Sequence, residues 1–204
     1  MINKGKKLGN SFYRRNNVVQ IAMELLGKVI CRKVDGYISK GLITETEAYS
    51  GENDKACHAH LGRFTKRTAT MYESGGVAYI YLCYGIHHLF NIVTNEQGKA
   101  DAVLVRAVEP IIGIDFMKEN RSVRGKDIKL AAGPGKLTQA LKISKELNGE
   151  NLVDSDVLWI EEGETQIQTN DIVSSKRIGI DYAEEDADLL WRFYLKENNS
   201  VSRF

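Results

Sequence analysis

The sequence predicts a mixed α/β fold built on an antiparallel sheet with helices at its periphery. Three observations predict it: strand-like runs recur in pairs joined by tight turns such as Asp35-Gly36, the helical patterns are short, and no regular strand-helix-strand alternation marks a doubly wound sheet. At 204 residues, with a hydrophobic share of 43% and a charged share of 27%, the chain fits one ordinary globular domain spanning 1–204. Its first ten residues are polar and contain no apolar run, so neither a secretory signal nor a membrane span is expected, and a cytoplasmic location is. Cys31, Cys57 and Cys83 are odd in number, widely spaced and without a CxxC pair, which fits reduced packing thiols.

The net charge of +1 hides an uneven distribution. Residues 1–40 carry nine Lys and Arg against Glu24 and Asp35, while acids gather at 161–164 and 181–188. Such a split is compatible with nucleic-acid binding, but an ordinary solvated surface gives the same split.

In chain order, Asn16 or Asn17 caps a helix running to about Leu26, with Val18, Ala22 and Leu25 on its buried stripe and Gly27 ending it. Val29–Val34 and Tyr37–Ile38 form strands around the Asp-Gly turn, and the second continues through Leu42–Tyr49. Residues 50–74 lose periodicity and carry Arg63, Lys66 and Arg67, a length that suggests a binding loop with at most a short helix over 54–60. Val77–Tyr84 and Leu89–Val93 make a hairpin with aromatic residues near its turn. Ala102–Val108 is a strand ended by Glu109-Pro110, and Pro110 to about Glu119 reads as a helix. A basic tract covers residues 118–129, and Gly133-Pro134-Gly135 leads into a short helix. Val157–Ile160, Arg177–Ile180 and a segment near Phe193 read as late strands.

Leu42–Tyr49 stands out because two carboxylates interrupt its apolar alternation. Strand parity puts Ile43, Glu45, Glu47 and Tyr49 on one face and Leu42, Thr44, Thr46 and Ala48 on the other. A carboxylate on so rigid an element can be aimed at a substrate; the alternative is an edge strand with Glu on its wet face.

The runs Glu45-Thr46-Glu47-Ala48-Tyr49, Tyr79-Ile80-Tyr81-Leu82-Cys83-Tyr84-Gly85, Leu104-Val105-Arg106-Ala107-Val108-Glu109-Pro110, Gly133-Pro134-Gly135-Lys136-Leu137, Arg177-Ile178-Gly179-Ile180 and Arg192-Phe193-Tyr194, with His58 and Asn91 between them, resemble the alkyladenine (3-methyladenine) DNA glycosylase family of the mammalian type. The resemblance implies a single domain with a curved antiparallel sheet. It also implies a monomeric, cofactor-free and metal-free enzyme that flips a damaged purine out of double-stranded DNA and hydrolyses its N-glycosidic bond. No membrane or obligate protein partner is implied, and the enzyme would work at the nucleoid. In that pattern Glu47 activates water and Arg106 helps to hold it. Tyr49 and Tyr81 sandwich the extruded base, His58 closes or bonds the pocket, Asn91 borders it where a guanine amino group would crowd, and Tyr84 is the wedge left in the duplex. A backbone carbonyl of the 177–180 stretch would complete the water site. Arg63, Lys66 and Arg67 are candidate phosphate contacts, with parts of the N-terminal and 118–129 tracts. His87, His88 and Cys57 depart from the family pattern beside the pocket.

The chemistry agrees with these residue types. Alkylation at N3 or N7 makes the base a cationic leaving group, so one general base and stabilisation of the sugar cation suffice. Three other readings compete. A nucleic-acid-binding module would use the tyrosines only for stacking. An inverting glycoside hydrolase would use Glu45 and Glu47, which sit roughly 7 Å apart on one strand face. A metal site at Cys57-His58-x-His60 lacks the spacing of a structural zinc frame.

Overall fold

A computed structural model describes residues 5–124, 129–164 and 166–202. Its centre is the pairing of two long strands, β2 (Tyr37–Tyr49) and β5 (Asp101–Ile112). The remaining strands are β1 (Val29–Val34), β3 (Ala78–Cys83), β4 (His87–Thr94), β6 (Leu158–Glu161), β7 (Ile172–Ser175) and β8 (Arg192–Leu195). Every strand pairing is antiparallel, and the main path runs β3-β4-β5-β2-β1-β6.

The curved sheet that the resemblance implied does not form. The sheet is neither curled nor closed, because the path stays open between its ends, β3 and β6. The second edge of β2 is divided between two short partners instead of one long one. Residues 37–42 pair with β1 and residues 45–47 pair with β8, which in turn carries β7, so the sheet branches at β2.

The β1–β2 turn has positive φ at both central residues, Asp35 (52°) and Gly36 (81°), the geometry that matches strand twist and that Asp-Gly supplies at low cost. Among the described residues four short α-helices flank the sheet: α1 (Asn10–Tyr13), α2 (Val18–Glu24), α3 (Ile114–Asn120) and α4 (Pro134–Ala140). Asn17 caps α2 by accepting the Gln20 amide at 3.0 Å. Ile21 and Leu25 from the α2 region, Leu137 from α4, and Ile43, Phe90 and Val105 from the sheet share the main core. A second cluster, built on Met71, Tyr79, Val93 and Ala102, underlies the tyrosines Tyr49 and Tyr81.

Four sequence expectations are corrected. Strand β5 does not stop at Glu109-Pro110 but continues to Ile112. Pro110 is tolerated there because β4 pairs only with 101–104 and the 131–132 segment bridges β5 only at Ala107 and Val108, and because the register slips beside Gly41. Helix α3 consequently starts at Ile114, after Gly113 at φ 76°. Residues 177–180 are not a strand; they turn through Gly179 at φ 77°, and β7 lies just before them. Residues 54–60 form turns instead of a helix, while the 50–74 loop contains short 3-10 segments at His60–Gly62 and Ala69–Tyr72. Among the described residues no helix is long and apolar enough to cross a membrane.

Candidate active site

Simple alternation along β2 breaks at one place. The β2–β5 register shifts between Ile43 and Glu45 and again between Glu45 and Thr46, so Arg106 has no partner across the ladder. Ile43 therefore packs in the same core as Ala48, although counting by twos would put it with Glu47. Bulges of this kind bend a strand and re-aim a side chain. Here the paired irregularities turn Arg106 onto both carboxylates of β2. Its Nε donates to Glu45 Oε1 at 2.8 Å, and its Nη1 donates to Glu47 Oε2 at 3.1 Å.

Both carboxylates are fully buried, yet their surroundings differ. Glu45 Oε1 accepts from Arg106 Nε, Arg192 Nε (2.7 Å) and Ser202 Oγ (2.8 Å), while Oε2 accepts the Ser202 amide at 2.7 Å. Burial by itself would raise its pKa, but Arg106, the Ser202 amide and Arg192 together hold it below the usual carboxylate value. Glu47 Oε2 accepts from Tyr49 Oη (2.8 Å) and Arg106 Nη1, and Oε1 accepts the Ile178 amide at 2.8 Å. Glu45 takes four donors, three on Oε1 and one on Oε2, three of them from Arg192 and Ser202; Glu47 takes three from the described residues, two on Oε2 and one on Oε1, which leaves an acceptor position at Oε1 of Glu47.

The groups that hold Glu47 all face a cleft of about 830 Å³, whose lining includes Tyr49, Arg106 and Ile178. Behind Tyr49 lies Arg177, with its guanidinium 4.8 Å from the Tyr49 ring centre and 5.3 Å from that of Trp191. Arg177 Nη2 donates to Asp54 Oδ1 at 2.8 Å, its Nη1 to Asp54 Oδ2 and to the Ala48 carbonyl, and both members of the pair are completely buried. The 177–180 segment is thus pinned to β2 by a side chain and an amide. Burial, followed by the Glu47 charge beside it, raises the Tyr49 pKa well above its ordinary value, so its hydroxyl stays a proton donor.

The same cleft is lined by Tyr81, Tyr79 and His58. The His58 ring meets Tyr81 edge-on at 4.6 Å, and its Nδ1 is 3.0 Å from Tyr79 Oη. Arg67 Nη2 donates to His58 Nε2 at 3.1 Å, which makes Nε2 the acceptor and puts the ring proton on Nδ1. Burial, with Arg67 and Arg63 adding to it, lowers the His58 pKa to about 4, so the ring is neutral near pH 7. Asn91 is buried in the cleft wall and donates to the Tyr79 carbonyl at 3.1 Å.

The β3–β4 hairpin ends in Tyr84, 88% exposed and at φ 50°, followed by Gly85 at φ 71°. A positive φ is uncommon for a bulky residue, and this turn uses it to hold a ring out into solvent at the cleft's edge. Leu82 and Ile86 are exposed beside it, His87 lines the same cleft, and a Cβ on Gly135 would come within 2.8 Å of the His87 ring.

The candidate phosphate contacts Arg63, Lys66 and Arg67 are all exposed, and Arg67 also reaches over the Tyr81 ring. Three of the nine basic residues at 1–40 are spent on acids of the 156–162 segment. Lys7 pairs with Asp156, Lys28 with Glu162 and the buried Lys40 with Glu161. Within the 118–129 tract, Lys126 lies outside the described residues, and Arg121 donates to the Leu130 carbonyl at 2.6 Å. Cys57-His58-x-His60 does not converge, and no group of three or more His, Cys, Asp or Glu side chains able to hold a metal occurs among the described residues.

Sequence reasoning missed the contacts of four neighbours: Ser202 and Arg192, which hold Glu45, and the Asp54–Arg177 pair behind Tyr49. The matched Arg192-Phe193-Tyr194 and Arg177-Ile178 runs were the available signal, but they gave no indication of what those arginines touch.

Comparison with known proteins adds an independent line. The family model described as methylpurine-DNA glycosylase matches residues 11–199. A protein of Natranaerobius thermophilus is 44% identical over 197 residues, covering 96% of this chain and 98% of its own length. One from Desulfitobacterium hafniense is 44% identical over 204 residues (97% and 98%), and one from Clostridium acetobutylicum 45% over 205 (96% and 97%). All three carry the provisional name 3-methyladenine DNA glycosylase.

Proposed function

The chain belongs to the methylpurine-DNA glycosylase family, and from that membership we propose how its cleft removes a purine from DNA. It is a glycosylase of base excision repair that acts on alkylated purines in DNA. The reaction it must perform is replacement of the purine at C1′ by water. The water oxygen bonds to C1′, the C1′–N9 pair leaves with the purine, and one water proton goes to a base. An N3- or N7-alkylated purine departs neutral, so no acid has to protonate it first.

Glu47 is the base in this reading. The single observation that carries it is the remaining acceptor position on Glu47 Oε1, on a buried carboxylate whose three donors come from cleft-lining residues. Arg106 and Tyr49 engage Oε2, leaving Oε1 to take the proton of an attacking water, and the same charge opposes the positive charge developing on the sugar. Arg106 also turns a face to the cleft from which it can orient that water.

Tyr49 and Tyr81 serve as the platforms between which the extruded base stacks, a contact that tolerates chemically varied purines and is worth about 1–3 kcal/mol per base. His58, held neutral with its proton on Nδ1, presents Nε2 as a hydrogen-bond acceptor at the pocket wall. Asn91 restricts the wall, and Tyr84 fills the gap in the duplex that the flipped nucleotide leaves. Arg63 and Lys66 suit backbone phosphates. Deaminated purines are neutral leaving groups and lean harder on these pocket contacts. A DNA substrate calls for a cytoplasmic, nucleoid-associated enzyme, which cell fractionation would check.

The test is base release from duplexes carrying each candidate lesion, with Glu47→Gln run beside the wild type. The reading expects the variant to bind the lesion duplex and to release no base at a useful rate. Release at the wild-type rate would remove Glu47 from the mechanism.

A further inference from the structure

Arg67 holds a position that neither phosphate binding nor surface solvation explains. Its guanidinium lies 4.9 Å from the Tyr81 ring centre, and its Nη2 is bonded to His58 Nε2. These are the ring and the pocket acceptor that the proposed function gives to the extruded purine. The side chain also lines both the main cleft and a smaller cleft beside it that is bordered by Arg63, Thr65 and Thr68, so it stands at their junction. No carboxylate is paired with it among the described residues; what holds it is an aromatic face and a neutral ring nitrogen.

We propose that Arg67 is a stand-in for the flipped base: it occupies the Tyr81 face and the His58 acceptor in the free enzyme, and an entering purine must displace it. This inference rests on the reading of Tyr81 and His58 given above. A planar guanidinium can imitate a planar base, since it stacks on an aromatic ring and donates in its own plane. The arrangement keeps the slot filled without sealing it, because Arg67 is exposed and can withdraw toward the neighbouring cleft. It also adds a selectivity step. A purine that stacks poorly or cannot replace the hydrogen bond to His58 leaves Arg67 in place, and a cationic alkylated purine cannot share the slot with a second cation. Once displaced, the guanidinium is free at the cleft mouth, where the phosphates flanking the flipped nucleotide would pass.

Competitive inhibition by free purine bases separates this from the alternatives, because free base needs the slot and no phosphate contact. Inhibition constants for free 3-methyladenine and free hypoxanthine are measured for wild type, Arg67→Ala, Arg67→Lys and Tyr81→Ala, with thermal melting as a check of folding. Removing the stand-in should tighten free-base binding on the order of fivefold in Arg67→Ala. Arg67→Lys should fall between that variant and the wild type, since a lysine keeps the charge but not the plane, and the exposed position should leave melting unchanged. Unchanged or weaker binding in Arg67→Ala would overturn the proposal, because it would make Arg67 irrelevant to the slot or a binding contact in its own right. If Tyr81→Ala inhibits as the wild type does, the platform assignment itself is wrong, a failure distinct from that of the stand-in.

Discussion

Glu45 and Glu47 stand two residues apart on one strand, both fully buried and both held by the same arginine, yet their environments give them different work. Around Glu45, β8 and the C-terminal segment bring Arg192 and Ser202 up against both oxygens, so the carboxylate is a structural knot tying β2, β5 and β8 together. Around Glu47 the third donor is the Ile178 amide, the strand pairing is running out, and the cleft begins. A buried charge therefore does not by itself mark a reactive group. The back of the molecule makes the same point with Lys40 and Glu161, a buried pair further satisfied by Trp159 Nε1 and covered by Gly5. What singles out Glu47 is an acceptor position left on Oε1 of a carboxylate whose donors, Tyr49, Arg106 and the Ile178 amide, all line the cleft, whereas Glu45 is also held by Arg192, which does not.

The largest separation between the two carboxylates should come from replacing each by glutamine. Glu45→Gln leaves Arg106 and Arg192 facing a neutral group, and breaking a buried ion network of this kind costs about 3–5 kcal/mol, a large part of a typical domain's stability. Urea unfolding should show that loss, whereas Glu47→Gln should unfold much closer to the wild type. A Glu45→Gln protein as stable as the parent would erase the distinction.

A smaller effect is expected at Tyr49. Tyr49→Phe keeps the ring on Arg177 but removes the hydroxyl from Glu47 Oε2, a hydrogen bond to a charged group worth about 1.5–3 kcal/mol. Excision should slow by roughly tenfold or more, and lesion binding should hold. Equal losses in both would make Tyr49 a platform only.

Tyr84→Ala acts at the duplex and not at either carboxylate. The truncated side chain no longer offsets unstacking, so lesion-duplex affinity should fall by about tenfold while binding to undamaged duplex, carried by phosphates, changes little and stays steeply salt-dependent. A parallel loss on both duplexes would argue against a wedge.

The smallest effects concern pH. The folded-state pKa of Glu45 is depressed, so its contribution is present above the ordinary carboxylate value and is lost as pH falls through the lower folded one. His58 runs in a different window. Between 6.5 and about 4 the unfolded chain binds a proton that the folded ring refuses, so stability declines with acid there. His58→Gln should flatten the upper slope and Glu45→Gln the lower one in stability measured against pH.

Much of this frame was legible in the sequence because its signals are local. Asp35-Gly36 and Tyr84-Gly85 announce turns with positive φ, Asn17 announces a cap, and two glutamates inside an apolar strand demand explanation. The less legible parts are long-range. The paired register shifts that put Ile43 in the core and swing Arg106 onto two acids depend on how β2 and β5 meet. The Ile178 amide reaches Glu47 across 131 residues of sequence, and Ser202 reaches Glu45 across 157. Arg177–Ile180 reads as a strand by composition, but its backbone turns away because the Arg177 side chain is drawn into Asp54 and its neighbour's amide is claimed by Glu47. The sheet's open, branched path likewise follows from two short strands sharing one edge of β2, which no local pattern encodes.

The most direct measurement is single-turnover base release by Glu47→Gln from a duplex bearing one alkylated adenine, at saturating enzyme, with duplex affinity determined on the same preparation. If Oε1 of Glu47 takes the water proton, release should slow by about 10²–10⁴-fold while affinity stays near that of the wild type. Release within a few-fold of the wild-type rate would show that water is activated elsewhere.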